Sequence, residues 1–342
     1  MKYATIGTSW ITESFISAAR KCDSITLTAV YSRSPEKAVE FMKKHNAEHC
    51  YSDLEEMAKS DKIDAVYIAS PNKFHYEQSK LFLLNNKNVI CEKPVALSTE
   101  EFNIMVATAK ECGKLFTVHQ NRRWDVDYLS IHNICNTGEI GKPLRIESRI
   151  HGSRGIPSDW RGIKQYGGGM ILDWGVHLID QLMLIFKDEK IDTVYCTETH
   201  ITNKEVDDGF YLTITFESGA EAFVEVGTYN FLPLPRFYMK SENGTALITD
   251  WREKAKVAKC KYWHENDVLP VQTAAGLTKT MAPRDSITMD VYEKDIPKSD
   301  VHDFYRNYCL AIDGKAEQIV THAELMRVMK VMEAVRKIDY SA

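Results

Sequence analysis

Tyr3-Ala4-Thr5-Ile6-Gly7-Thr8-Ser9-Trp10-Ile11-Thr12 joins a short run suited to a buried strand to a glycine turn and the expected start of a helix. The pattern repeats. Further strands are expected at Ile25 to Tyr31, Ile63 to Ala69, Asn88 to Cys91 and Leu115 to Val118, with helices at Pro35 to His45, Leu54 to Lys59, Phe74 to Asn85 and Thr99 to Cys112. Such β-α alternation predicts an α/β fold with a doubly wound parallel Rossmann sheet over residues 1–120. Ligands on such sheets bind beyond the carboxyl ends of the strands.

Each strand end is therefore a candidate site. After strand one, a G-x-G-x-x-G turn would hold a dinucleotide pyrophosphate against a helix amino terminus. Only Gly7 is present, and Ser9 and Thr12 replace the later glycines, so this segment fits a plain tight turn as well as a cofactor loop formed by Gly7, Thr8, Ser9, Trp10 and Ile11. Strand two runs into Ser32-Arg33-Ser34, without the acidic residue that takes a ribose hydroxyl. Small hydroxyls and an arginine suit a 2′-phosphate and favour NADP over NAD, although arginine also stacks on adenine or stays solvated. In Ser70-Pro71-Asn72-Lys73-Phe74-His75, Asn72 is placed to cap the next helix and His75 lies in its first turn. Cys91-Glu92-Lys93-Pro94 brings an ion pair, a bend and a lysine to a ligand-binding strand end.

A second glycine-led stretch follows at Gly167-Gly168-Gly169-Met170-Ile171-Leu172-Asp173-Trp174-Gly175-Val176-His177. At helical spacing Asp173 and His177 share a face, so the carboxylate can orient the imidazole and fix its tautomer. Taken alone, the pair is read first as a buried Asp and His that satisfy each other.

The 342 residues suggest two domains, split at 120/121. A net charge of -5 with both signs interleaved supplies neither a basic footprint for nucleic acid nor a polybasic membrane anchor. Tyr3 to Ile6 replaces a charged-then-apolar leader, and Leu182 to Phe186 is too short to span a bilayer, which reads as a cytoplasmic protein. The eight cysteines are scattered singly, without C-x-x-C or Cys/His ligand spacing, so neither disulfides nor a metal site is expected.

The motifs I-G-T-S-W-I-T, A-V-Y-I-A-S-P-N-K-F-H, C-E-K-P and G-G-G-M-I-L-D-W-G-V-H, in this order and spacing, resemble the glucose-fructose oxidoreductase, inositol dehydrogenase and MocA (Gfo/Idh/MocA) family. The likeness extends to Thr321-His322-Ala323-Glu324 before a closing helix. It implies a Rossmann domain followed, over 121–342, by an α/β domain whose open, mostly antiparallel sheet forms the substrate floor and a homo-oligomer interface, in a dimer or tetramer. It also implies that Lys93, before a cis-proline at Pro94, lies between nicotinamide and substrate, with Asp173 and His177 as its catalytic partners.

In the second half, His119 to Trp124 resembles the family's crossover, where Asn121 or Arg123 would approach the nicotinamide end and the substrate. The similarity places Trp160 and Arg161 near the cofactor, and Lys164 and Tyr166 near the substrate. Helix Val126 to Cys135 and strand Pro143 to Ile150 are followed by an antiparallel meander at Asp192 to Ile201, Phe210 to Glu217, Glu221 to Thr228 and Arg236 to Lys240. Val257 to Lys298 shows no periodicity, and His302 to Ile312 and Ala323 to Ile338 read as helices.

The implied chemistry is hydride transfer between NAD(P) and a secondary alcohol of a sugar, cyclitol or related polyol. His177 would act as base, Asp173 would orient it, and Lys93 would stabilise alkoxide character. A dinucleotide-bound sensor or co-regulator and a nicotinamide-dependent glycoside hydrolase are the competing readings.

Overall fold

A computed structural model describes residues 1–262, 270–279, 284 and 286–336. Its first layer is the expected α/β alternation: β1 (Lys2–Ile6), α1 (Trp10–Ala19), β2 (Thr26–Tyr31), α2 (Pro35–His45), β3 (His49–Tyr51), α3 (Leu54–Lys59), β4 (Ala65–Ile68), α4 (His75–Leu84), β5 (Asn88–Cys91), α5 (Thr99–Glu111) and β6 (Phe116–Val118). The six strands lie in the order β3-β2-β1-β4-β5-β6, all parallel. The order in which successive strands are added reverses between β1 and β4. Their buried residues, such as Tyr3, Ile6, Val66 and Ile68, form one core, each large side chain contributing about 1.5–3 kcal/mol on burial.

Capping explains the sharp helix starts. Ser34 accepts from the Lys37 amide with Pro35 at the first helical position, Asp53 accepts from Glu56, and Ser98 from Glu101. One strand escapes the sequence reading and one expected cap fails. β3 is a three-residue, half-buried edge strand too short to show a period. Asn72 does not cap α4, because a short 3-10 turn at Asn72–Phe74 intervenes and its amide donates to the Gly167 carbonyl at 2.7 Å.

The second layer contains α6 (Val126–Thr137), β7 (Pro143–His151), α7 (Val176–Ile185), β8 (Ile191–Thr199), β9 (Gly209–Phe216), β10 (Glu221–Gly227), β11 (Phe237–Ser241), β12 (Gly244–Ile248), β13 (Ala255–Cys260), the hairpin β14 (Val271–Thr273) and β15 (Gly276–Thr278), and β16 (Met289–Lys294). Among the described residues its main sheet runs β16-β13-β12-β11-β7-β10-β9-β8. The expected meander is interrupted, since β7 inserts between β10 and β11 and pairs with β10 in parallel. The region without sequence periodicity holds β16 and the hairpin, whose largely exposed residues carry no apolar alternation.

Period-two alternation sends Ile146, Leu212, Ile214, Val224 and Met239 inward onto α6 and α7. Tyr195 and Tyr211 face outward. The last two helices tie the layers together. α8 (His302–Ile312) gives Phe304, Tyr305 and Tyr308 to the first core, while α9 (His322–Arg336) gives Leu325 and Met329 to the first and Val328 and Met332 to the second. Ile338, the expected end of α9, lies outside the described residues.

Candidate active site

At the reversal between β1 and β4 the loops Gly7–Ile11 and Ser70–His75 diverge, and a cavity of about 860 Å³ opens between them. Its wall includes Gly7, Thr8, Ser9, Trp10, Ile11, Ser32, Arg33, Ser70, Pro71, Asn72, His75, Glu92 and Lys93, all expected from the strand ends. Trp160, Arg161 and Asp173 complete it from the second layer. Asn121, Arg123, Lys164, Tyr166 and His177 stand outside this lining.

Gly7 has φ +105, and a Cβ there would lie 2.8 Å from the Ala69 carbonyl oxygen. Only glycine fits at this close approach of the two strand ends. The helix that follows is left open: Ser9 has extended backbone angles suited to an N-cap, yet its hydroxyl accepts no bond from the α1 amides. Arg33 and Lys37 are exposed at the end of β2 and start of α2, and neither forms an ion pair among the described residues.

Glu92 and Lys93, adjacent in sequence, take different partners. Glu92 is buried, accepts from the Tyr67 hydroxyl at 2.5 Å and lies 2.8 Å from His119 Nδ1, while His119 Nε2 is 3.1 Å from the Tyr305 hydroxyl. Despite the cost of burial, His119, Tyr67 and Lys93 hold its carboxyl down to about 2. Lys93, whose bond to Pro94 is cis, extends across to the second layer. Its ammonium donates to the Asp173 carbonyl at 2.8 Å and to its Oδ1 at 3.0 Å. Arg161 Nε lies 3.3 Å from Asp173 Oδ2, and Asp159 holds Arg161 in turn. Burial raises the Asp173 pKa, but the two cations more than offset it and keep the carboxyl ionised.

Asp173 and His177 do not meet as helical spacing suggests. Ile171–Gly175 forms a π-helical turn, which changes the phase of the face, and both Asp173 oxygens are taken by Lys93 and Arg161. His177 is buried on α7, and its Nδ1 has no hydrogen-bond partner among the described residues. Burial first, then the charges of Lys93 and Arg122, push its pKa well below 6.5, so the ring is neutral at pH 7. The ring of Trp174 stands beside it at 6.1 Å, and Arg122 stacks over Trp174 at 4.2 Å.

Arg123, expected at the substrate, is a buried clamp between layers: it donates to both oxygens of Asp180, at 2.8 and 2.7 Å, and to Glu324 at 2.8 Å. Lys164 is exposed, and Tyr166 packs towards Phe74. His75 is buried, with Nδ1 2.8 Å from the Pro94 carbonyl and Nε2 2.9 Å from that of Ser70, so it fixes the cavity wall from behind.

Sequence reading missed Asp207. Its Oδ2 accepts from the Ile171 amide at 2.8 Å and its carbonyl from Met170 at 3.1 Å, fixing the start of the turn that carries Asp173. Gly169, at φ +107, makes room for it, since a Cβ there would lie 2.1 Å from Asp207 Oδ1. The triple glycine could signal a close approach, but the partner is too distant in sequence to identify. Among the described residues no group of three or more His, Cys, Asp or Glu could hold a metal, and no helix is long and apolar enough to cross a membrane.

Comparison with known proteins sorts along the same two layers. The model of an oxidoreductase family with an NAD-binding Rossmann fold matches residues 1–120, and that of a GFO/IDH/MocA C-terminal domain matches residues 128–247. The scyllo-inositol 2-dehydrogenase (NADP(+)) IolU of Bacillus subtilis (strain 168) is 54% identical over 113 residues, 33% of this chain and 34% of that protein. That match spans about a third of the relative's length. A 1,5-anhydro-D-fructose reductase of Ensifer adhaerens is 27% identical over 226 residues, 65% of this chain and 67% of that one. A solved NAD-binding protein from Listeria innocua is 36% identical with TM-score 0.93, covering 98% of this chain and 96% of the other.

Proposed function

The chain belongs to the Gfo/Idh/MocA oxidoreductase family, and from that premise we propose that it transfers hydride between NADP(H) and a secondary alcohol or ketone carbon of a sugar, cyclitol or related polyol. The observation that carries this reading is the meeting of Lys93 and Asp173 across the two layers, at the wall of the cavity formed by the Rossmann loops. A lysine on a strand end and a carboxylate on a glycine-led turn, 80 residues apart, contribute to one polar centre.

The cavity suits a phosphorylated dinucleotide. The uncapped amino terminus of α1 presents amides for a pyrophosphate. Arg33 and Lys37, with Ser32 and Ser34 beside them, suit a 2′-phosphate. When bound, the nicotinamide supplies the hydride acceptor or donor. Lys93, Asp173 and His177 then manage the substrate: the Lys93 ammonium stabilises negative charge on the reacting oxygen, neutral His177 accepts its proton, and Asp173 holds Lys93 in place with Arg161. The relatives' names place scyllo-inositol and 1,5-anhydrofructose first in a substrate screen.

Two coarser features complete the proposal. Copies of the chain associate through the outward face of the second sheet, where Tyr195 and Tyr211 are exposed beside the ion pairs of Arg145 and Arg149 with Glu221 and Glu225. The cytoplasm is the compartment suited to its eight free cysteines. To test the activity, NADPH and NADH are titrated by fluorescence, and polyols are then screened with the oxidised form of the tighter cofactor. Reduced nicotinamide formed in step with oxidised polyol is expected; cofactor binding without turnover on any polyol would favour a sensor.

A further inference from the structure

Far from this cavity, Cys22 in the turn after α1 and Cys309 on α8 bring their sulfurs to 4.0 Å although 287 residues separate them in sequence. Both thiols are free and both line a second cavity of about 440 Å³, which gives a small oxidant a way in. Three other cysteines point elsewhere, Cys135 at the Met239 sulfur, Cys91 at the Val95 carbonyl and Cys260 at the Tyr262 carbonyl. We infer that Cys22 and Cys309 are a reversible oxidation site that closes to a disulfide on exposure to a hydroperoxide.

The reaction takes two steps. One thiol attacks the peroxide, breaking its O–O bond to give a sulfenic acid and an alcohol or water; the second thiol then displaces the sulfenic oxygen as water and forms the S–S bond. The pair loses two electrons, which the peroxide accepts. Burial and the neighbouring Cys22 sulfur push the Cys309 thiol up, as expected for two thiols in contact, and either thiol can take the first step. A small shift of α8 closes the remaining gap to bonding distance.

The bond would have a structural consequence. α8 rests on α1 and carries Tyr305 one turn before Cys309, with its hydroxyl on His119 and thence on Glu92 at the cavity wall. A disulfide would staple this helix to the first layer and raise the unfolding temperature by restricting the unfolded chain.

The test treats the full-length protein, freed of reductant, with hydrogen peroxide and maps its peptides by mass without reduction. The expected product is a Cys22–Cys309 cross-linked peptide lighter by two hydrogens, with a higher unfolding temperature, both reversed by dithiothreitol. In Cys309→Ser the cross-link vanishes, and a dimedone-trapped sulfenic acid collects on Cys22. Oxidation spread over Cys50, Cys112 and Cys260 with no Cys22–Cys309 peptide in the wild type overturns the assignment, and so does a cross-link that leaves the unfolding temperature unchanged.

Discussion

Two glycine-led turns face the same cavity from opposite layers, and they finish their helices in opposite ways. At Gly7 to Thr12 the chain leaves α1 uncapped, with the Ser9 hydroxyl idle. At Gly167 to Asp173 the amides that lead into the turn are taken: the Arg161 carbonyl accepts from Gly169, the Asp207 carbonyl from Met170, and its carboxylate from Ile171. A helix start left open is available to an anion, whereas one closed by the protein fixes the side chains that follow. The first turn is built to receive and the second to hold.

The largest effect should come from what the closed turn holds. His177→Ala is expected to lower turnover by about 10² to 10⁴ fold with NADPH affinity nearly unchanged, read by steady-state kinetics beside a fluorescence titration. The pH profile sharpens the point. Because burial and the nearby cations depress the His177 pKa, the neutral base persists below pH 6.5, and the acid limb for polyol oxidation should lie well under that value. The same depression means that the unfolded chain binds the extra proton first, so this residue's contribution to stability is complete above 6.5 and is lost on acidification below it. An acid limb centred at or above 6.5 would remove His177 as the base.

Next comes the closure itself. Gly169→Ala forces a Cβ into Asp207 at a positive φ, and should cost about 1–3 kcal/mol of stability, measured by denaturant unfolding. Asp207→Asn, which keeps an acceptor oxygen for the Ile171 amide, should cost less. If the alanine variant is as stable as the wild type, the turn is not held in the way described.

These two turns also show what a sequence can carry. The boundaries of α2 follow from Ser34-Pro35 at its start and Asn46 in the left-handed conformation at its end, signals that are local. The parallel sheet follows from apolar runs separated by capped helices, and the cavity wall from where those strands end. What cannot be read locally is pairing. Lys93 was expected to pair with Glu92, yet it takes Asp173; Asn72 takes Gly167; Arg123 takes Asp180 and Glu324. Lys93 and Asn72 find their partners on the other layer, and Arg123 finds its partners on two helices distant in sequence. The π turn at Ile171–Gly175 alters the face that an ideal helical period assigns to Asp173 and His177, and no residue in the stretch announces it. β7 enters beside β10, a choice that period-two alternation alone leaves open.

On the open side, the effects should be smaller and confined to binding. Arg33→Ala should weaken NADPH by about tenfold, an effect that shrinks with added salt, and leave NADH nearly unchanged. Equal losses for both cofactors would mean that Arg33 stacks on the shared adenine and does not read the 2′-phosphate.

The smallest expected effect tests the contrast most directly, because its two readouts should move in opposite directions. Ser9 already has the extended backbone of an N-cap, so Ser9→Asp places a carboxylate where it can accept from the α1 amides and interact favourably with the helix dipole. That should stabilise the protein by about 0.5–1 kcal/mol. The same carboxylate occupies the amides that a pyrophosphate would use and repels its charge, so NADPH should bind about fivefold more weakly. A helix start that is merely unfinished would gain stability and keep its affinity, since nothing would be displaced. One kept open for a ligand must lose affinity as it gains stability, and unfolding and fluorescence titration of this one variant distinguish the two.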